Sequence, residues 1–183
     1  SYPGDLTVFN NELYFRATDA TNGDELWKYD GVNAPSMVAD IRAGSYSSYP
    51  AHLTVFNNAL YFQARDGTNG YELWKYDGVN APSMVADIRA GSYSSYPAHL
   101  TVFNNALYFQ ARDGTNGYEL WKYDGVNAPS MVADINPGIS GSYPGDLTVF
   151  NNELYFRATD ATNGDELWKY DGVNAPSMVA DIR

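Results

Sequence analysis

The chain has 183 residues with 22 acidic and 11 basic side chains, a formal charge of −11, two histidines and no cysteine. The acid excess argues against a nucleic-acid partner, whose phosphates call for a basic surface. Zero cysteine removes disulfides, thiolate nucleophiles and cysteine-held zinc or iron–sulfur centres together. Hydrophobic residues at 44% and aromatics at 15% offer enough apolar surface to offset chain entropy, so a folded core is expected. No apolar run approaches the ~18 residues of a membrane span. Ser1 opens no basic-then-apolar signal segment, so the expectation is no membrane partner and soluble cytoplasmic expression.

The segment Ser1-Tyr-Pro3 recurs at 48–50, 95–97 and 142–144, a constant step of 47. Residues 1–42 are identical to 142–183, and residues 48–88 to 95–135. The two versions differ at seven positions: Gly4/Ala51, Asp5/His52, Glu12/Ala59, Arg16/Gln63, Thr18/Arg65, Ala20/Gly67 and Asp24/Tyr71. The chain therefore reads A-B-B-A, as units 1–47, 48–94, 95–141 and 142–183. Surface positions of natural repeats drift, because substitutions there usually cost less than ~0.5 kcal/mol. Identity that extends to such positions points to an engineered gene, with a very recent duplication as the alternative.

Within the first unit, Leu6–Phe9 is a short β-rich run that ends at Asn10-Asn11, a dipeptide suited to the positive φ angles of a tight hairpin. Glu12–Ala17 follows as a second strand, Asp19–Gly23 as a turn, and Glu25–Tyr29 as a third strand. Asp30-Gly31 opens another turn, and Pro35 precedes a fourth strand over Ser36–Ile41. The linker 42–47 reaches the next unit. No segment sustains helical spacing over three turns. Apolar neighbours such as Leu13-Tyr14-Phe15 and Leu26-Trp27 imply sheets covered on both faces. Four antiparallel strands per unit, repeated in tandem, predict an all-β fold: a β-propeller of four four-stranded blades, with Leu6–Phe9 nearest the axis.

The string Glu25-Leu-Trp-Lys-Tyr-Asp-Gly31, with Leu13-Tyr-Phe15 before it and Val38-Ala-Asp-Ile41 after it, resembles the ELWxxDG(T) repeat of bacterial propeller-type proteins. Asp134-Ile-Asn-Pro-Gly138 resembles the inter-repeat linker of those proteins, and Val32 departs from the Thr that follows Asp-Gly in their pattern. With its exact copies, the chain is similar to the designed symmetric propellers known as Cake and Scone. That resemblance implies rings of eight or nine blades, and self-assembly of chains that carry fewer. A face of a blade needs a partner, so the chain is expected to form a homodimer that completes an eight-bladed ring in the order A-B-B-A-A-B-B-A. Self-closure of four blades is the alternative and demands steeper wedge angles.

His52 and His99 occupy the position held by Asp5 and Asp146, just before the innermost strand. In a ring they would form a mouth of carboxylates and imidazoles, a candidate adventitious metal site; the expected reading is exposed rim residues with no metal. Asp19–Glu25 has closely spaced oxygen ligands but misses the calcium-loop pattern at its third and fifth positions, and reads as an Asx-type turn with Gly23 at positive φ. Trp27, Trp74, Trp121 and Trp168 either pack between blades or stack on sugars. Lys28 and Asp30 read as solvated edge charge, whereas Glu12 and Arg16, four apart on one strand, are placed to help a seam between type A blades. No catalytic triad, phosphate loop or paired-His motif is present, so no catalytic residue, no cofactor and no small-molecule ligand is expected. The functional expectation is a structural, self-assembling protein, with a multivalent lectin-like binding module as the alternative.

Overall fold

Residues 1–182 are described by a computed structural model. They form sixteen strands in four antiparallel sheets, each sheet containing its strands in simple chain order. Blade 1 holds β1 (Gly4–Phe9), β2 (Glu12–Asp19), β3 (Gly23–Tyr29) and β4 (Ser36–Ala39). Blade 2 holds β5 (Ala51–Phe56), β6 (Ala59–Ala64), β7 (Glu72–Tyr76) and β8 (Ser83–Ala86). Blade 3 holds β9 (Ala98–Phe103), β10 (Ala106–Ala111), β11 (Glu119–Tyr123) and β12 (Ser130–Ala133). Blade 4 holds β13 (Gly145–Phe150), β14 (Glu153–Asp160), β15 (Gly164–Tyr170) and β16 (Ser177–Ala180). These are the four-stranded blades of a β-propeller. They divide into two compact units, Ser1–Tyr96 and Pro97–Arg183, described separately below.

The first hairpin is as tight as its Asn-Asn dipeptide predicts. Asn10 and Asn11 sit at φ 48° and 62°, and Phe9 pairs directly with Glu12 across the turn. The innermost strand begins earlier than its apolar run, at Gly4, and carries a bulge between Gly4 and Thr7. The bulge puts Asp5 at φ 55° and His52 at φ 59°. Asp and His are among the residues that tolerate this left-handed region, so the exchange of one for the other keeps the backbone. The fourth strand is shorter than expected and ends at Ala39, two residues before Ile41, because Ile41 turns its backbone N–H to a side chain of the third strand.

In the first unit, Phe9, Tyr14 and Leu26 on one face of blade 1 interlock with Leu53, Leu60, Phe62 and Trp74 of blade 2. The second unit repeats this packing with Phe103, Tyr108 and Leu120 of blade 3 against Leu154, Phe156 and Tyr170 of blade 4. The innermost strands of paired blades are also stitched by threonine. Thr7 Oγ1 donates to the Leu53 carbonyl at 2.9 Å, and Thr101 Oγ1 to the Leu147 carbonyl at 3.3 Å.

The hairpin between the second and third strands is longer in type A blades. There, pairing runs out to Thr18↔Asp24 and Asp19↔Gly23 in blade 1 and to their equivalents in blade 4; in blade 1 the Thr18 hydroxyl also donates to the Asp24 carboxylate. In type B, Arg65 and Tyr71 replace that pair and the ladder stops at Ala64↔Glu72. The Arg65 guanidinium instead lies over the rings of Tyr49 and Tyr71, at 5.1 and 4.9 Å.

Two glycines separate steric demand from backbone demand. A Cβ on Gly70 would stand 2.0 Å from the Tyr93 carbonyl oxygen, whereas one on Gly31 (φ +87°) would meet nothing within 4 Å. Gly70→Ala is therefore expected to destabilise by about 3 kcal/mol or more in thermal denaturation. Gly31→Ala is expected to cost only the left-handed backbone penalty of about 1–2 kcal/mol.

Candidate functional site

A buried glutamate lies at the same place in each blade: Glu25, Glu72 and Glu119 are fully buried, and Glu166 nearly so. The third strand carries it just before a Leu-Trp pair, and its carboxylate gathers donors from two later segments. Glu25 accepts from the Ile41 backbone N–H at 3.0 Å and from the backbone N–H and hydroxyl of Ser48 at 3.0 and 2.6 Å. Glu72 does the same with Ile88 and Ser95, and Glu119 with Ile135 and Ser142. Ile182 N–H donates to Glu166 at 3.1 Å. One carboxylate thus ties the end of a blade's last strand to the first residue of the next repeat. The same serines also donate through their backbone to the carbonyl one residue before the glutamate, as in Ser48 to Asp24 and Ser95 to Tyr71, both at 3.0 Å.

Burial raises the pKa of Glu25, Glu72 and Glu119, to about 7 for Glu72, although the hydrogen-bond donors around each carboxylate favour its charged form. The surface carboxylates behave oppositely. Asp30, Asp77 and Asp124 each accept from the Asn side chain three residues on and from two backbone N–H groups of their own turn, which holds them down at about 2.

At the mouth, Asp5 and His52 do come together, but through the backbone: His52 N–H donates to Asp5 Oδ1 at 2.9 Å. The same carboxylate lies 3.6 Å from the Arg16 guanidinium, and Asp146 lies 3.7 Å from that of Arg157. His99 approaches Gly145, whose absent side chain leaves room for both the imidazole and Arg157. Among the described residues no three His, Asp, Glu or Cys side chains form a group that could hold a metal ion. Gly4 and Gly145 leave room for Arg16 and Arg157: a Cβ there would stand 3.1 and 3.0 Å from the guanidinium. Type B blades exchange the arginine for Gln63 and the glycine for Ala51 together.

Glu12 and Arg16 both make bonds inside blade 1. Glu12 lies 3.0 Å from Lys28 and accepts from the Tyr14 hydroxyl at 2.8 Å. Lys28 pairs with Glu12, while Asp30 is exposed, as expected of edge charge, and caps its own turn. The Asp19–Gly23 segment is the expected Asx-type turn, with Asp19 accepting from Thr21 and Asn22 and Gly23 at φ +71°. Trp74 is buried in the first unit's core and Trp168 packs against that of the second. All four indole Nε1 atoms are buried and, among the described residues, lack a hydrogen-bond partner, which leaves no indole N–H to meet a sugar in water.

The buried glutamate was absent from the sequence-derived candidates. Its signal was present: the Glu of Glu25-Leu-Trp stays fixed in all four units while the neighbouring Asp24 and the outer Glu12 vary.

The class this fold defines is the β-propeller. Solved structures agree in fold. The β-propeller domain of the Trilobed protease from Pyrococcus furiosus superposes with a TM-score of 0.64 at 10% identity, over 96% of this chain and 53% of that one. A puromycin-hydrolyzing peptidase from Mycobacterium tuberculosis gives 0.66 at 10% identity, over 98% and 29%. TolB from Acinetobacter baumannii gives 0.59 at 10% identity, over 93% and 41%. This chain spans about half or less of the length of each of these three proteins, and at such identity the likeness carries the fold alone. No protein-family model and no curated protein sequence matches the chain.

Removing one latch should be costly. Glu72→Ala strands the Ile88 N–H and removes the two bonds from Ser95 to the carboxylate, with an expected loss of about 3 kcal/mol or more by chemical denaturation. The raised glutamates favour the folded state when protonated, so their contribution is complete below about pH 4.5 and declines as pH rises, being lost by about pH 7 for Glu72. The turn aspartates, with lowered pKa, add stability above their ordinary value of 3.8 and lose it as pH falls towards about 2. Melting temperature against pH should peak near pH 5, and the decline towards pH 7 should flatten in Glu72→Gln.

Proposed function

We propose that the chain is a structural, self-assembling propeller in which two copies join blade face to blade face to complete an eight-bladed ring, with no catalytic role of its own. The observation that carries this reading is a pair of uncovered faces whose copies are covered elsewhere in the chain. Leu53 of blade 2, packed on blade 1, is 9% exposed, while the identically placed Leu6 of blade 1 is 59% exposed. On the opposite blade face, Phe103 and Leu120 of blade 3 are 3% and 0% exposed under blade 4. Their equivalents on blade 4, Phe150 and Leu167, are 59% and 39% exposed.

These two surfaces are complementary by construction, because the packed pairs inside each unit use the same residues. Phe9, Tyr14 and Leu26 are matched by Phe150, Tyr155 and Leu167. Leu53, Leu60 and Phe62 are matched by Leu6, Leu13 and Phe15. Four strands at ~4.8 Å spacing and five residues at ~3.4 Å give each face a footprint of roughly 320 Å². A two-chain ring has two junctions and so hides on the order of 1,300 Å², within the ~1,200–2,000 Å² of specific interfaces. The absence of a single asymmetric constellation supports a non-catalytic role. Titratable groups recur two to four times along the chain's repeats, whereas acid–base chemistry needs neighbours with divergent pKa values.

Light scattering during size-exclusion chromatography tests the proposal. The expected mass is twice the 20.2 kDa of one chain. Leu6→Asp and Phe150→Asp, which lie outside the packed cores of the two units, should each weaken association about 30-fold or more while leaving the strand content by circular dichroism unchanged. A single-chain mass for the unmodified protein would sink the reading.

A further inference from the structure

The two blade types hold one surface in two states. In type A, the Lys28 ammonium and the Tyr14 hydroxyl converge on the Glu12 carboxylate, at 3.0 and 2.8 Å. Blade 4 repeats this with Lys169, Tyr155 and Glu153 at 2.9 and 2.8 Å. In blade 3 the cation and the phenol remain and the carboxylate does not. Tyr108 and Lys122 are register partners on β10 and β11, just as Tyr14 and Lys28 are on β2 and β3, but the residue two before the tyrosine is Ala106. Among the described residues Lys122 makes no ion pair. Where the carboxylate would lie there is a cavity of about 580 Å³ in the second unit, its lining including Asn104, Asn105, Tyr108, Lys122, Asn127 and Ser130.

We propose that this cavity binds short monocarboxylates, with hydroxyl-bearing tails preferred. The carboxylate takes the place that Glu12 fills in blade 1, between the Lys122 ammonium and the Tyr108 hydroxyl. The atoms by which Glu exceeds Ala are a CH₂ and a carboxylate, so acetate is the smallest occupant. The remaining volume is faced by amides and a hydroxyl, which suit the hydroxyls of a sugar acid. Burial and the neighbouring Tyr170 push Tyr108 up to about 12, so its hydroxyl stays protonated across the usual pH range. Asp124 is the one carboxylate in the lining; it is committed to its own turn, accepting from Val126 and Asn127. Its counterpart Asp30 stands near Glu12 without preventing the Glu12–Lys28 pair, so a carboxylate is tolerated beside it. The site lies wholly within residues 104–172 and does not depend on ring formation. A chain of net charge −11 repels anions in general, which makes saturable anion binding informative.

The test is an NMR titration of protein labelled at alanine methyls with sodium gluconate, sodium acetate and, as uncharged control, glucose, at constant ionic strength set by chloride. Gluconate is expected to shift the Ala106 methyl saturably with a Kd of about 1–10 mM. Acetate should do so several-fold more weakly and glucose not at all. The double variant Ala59→Glu/Ala106→Glu, which restores the type A residue and so keeps a sequence already folded in this chain, should abolish the saturable shift. Lys122→Gln should weaken it about tenfold. A shift that fails to saturate, that glucose reproduces, or that survives in the double variant overturns the proposal. Equal affinity for acetate and gluconate overturns the preference for hydroxylated tails.

Discussion

A carboxylate buried without a cation is expensive unless its oxygens are met by donors, and this chain places one at the root of every blade. The donors come from segments 16 and 23 residues downstream of the glutamate, the exit of the fourth strand and the serine that opens the following repeat. That requirement sets much of the geometry around it. The linker must return tightly enough for Ser48 and Ser95 to reach both a carboxylate and a backbone carbonyl. Tyr49 and Tyr96 then turn through φ 50° directly after the serine. Gly70 and Gly117 must lack side chains because the returning linker passes over them. Hydrophobic contact between blade faces supplies the bulk of the burial. The glutamate fixes where one sheet stops and the next repeat begins.

The seven differences between the blade types sort into groups that change together. Gly4, Asp5 and Arg16 form one set, in which the arginine pairs with the aspartate and fills the space a Cβ would need; Ala51, His52 and Gln63 replace all three. Thr18 and Asp24 close a longer hairpin, whereas Arg65 and Tyr71 trade that hydrogen bond for stacking of a guanidinium on aromatic rings. Gly67, at φ +97°, lies against Arg42, a turn that Ala20 does not make. Glu12 alone has no compensating change: Ala59 and Ala106 leave Lys75 and Lys122 without the carboxylate. The type A units carry seven acids against three bases, so the acid excess of the chain sits mainly in its first and fourth blades.

The strands and the turns between them were legible because each depends on local chemistry. Alternation marks the strands, Asn10-Asn11 the tight hairpin, the Asp19–Gly23 cluster an Asx turn and Asp30-Gly31 a further turn. Repetition then made the blade readable as a unit. Contacts that join residues far apart in sequence were not legible. Glu25 meets Ser48, 23 residues on, and in sequence looked like one more acid in a charged turn. Arg16 meets Asp5 across a bulge that alternation does not announce. Ile41 looked like the end of a strand because its side chain is apolar, while its backbone is committed to a carboxylate.

A propeller face is apolar on both sides because it expects a neighbour on both sides, and every blade here carries the residues for two neighbours. The account centres on Leu6 and Phe150, whose twins are buried elsewhere in the same chain, meeting one another between copies. Electron microscopy of the purified protein, with blades counted in end-on class averages, addresses this most directly. The account predicts closed rings of eight blades with a central opening. Closed rings of four, or open arcs of four, would contradict it.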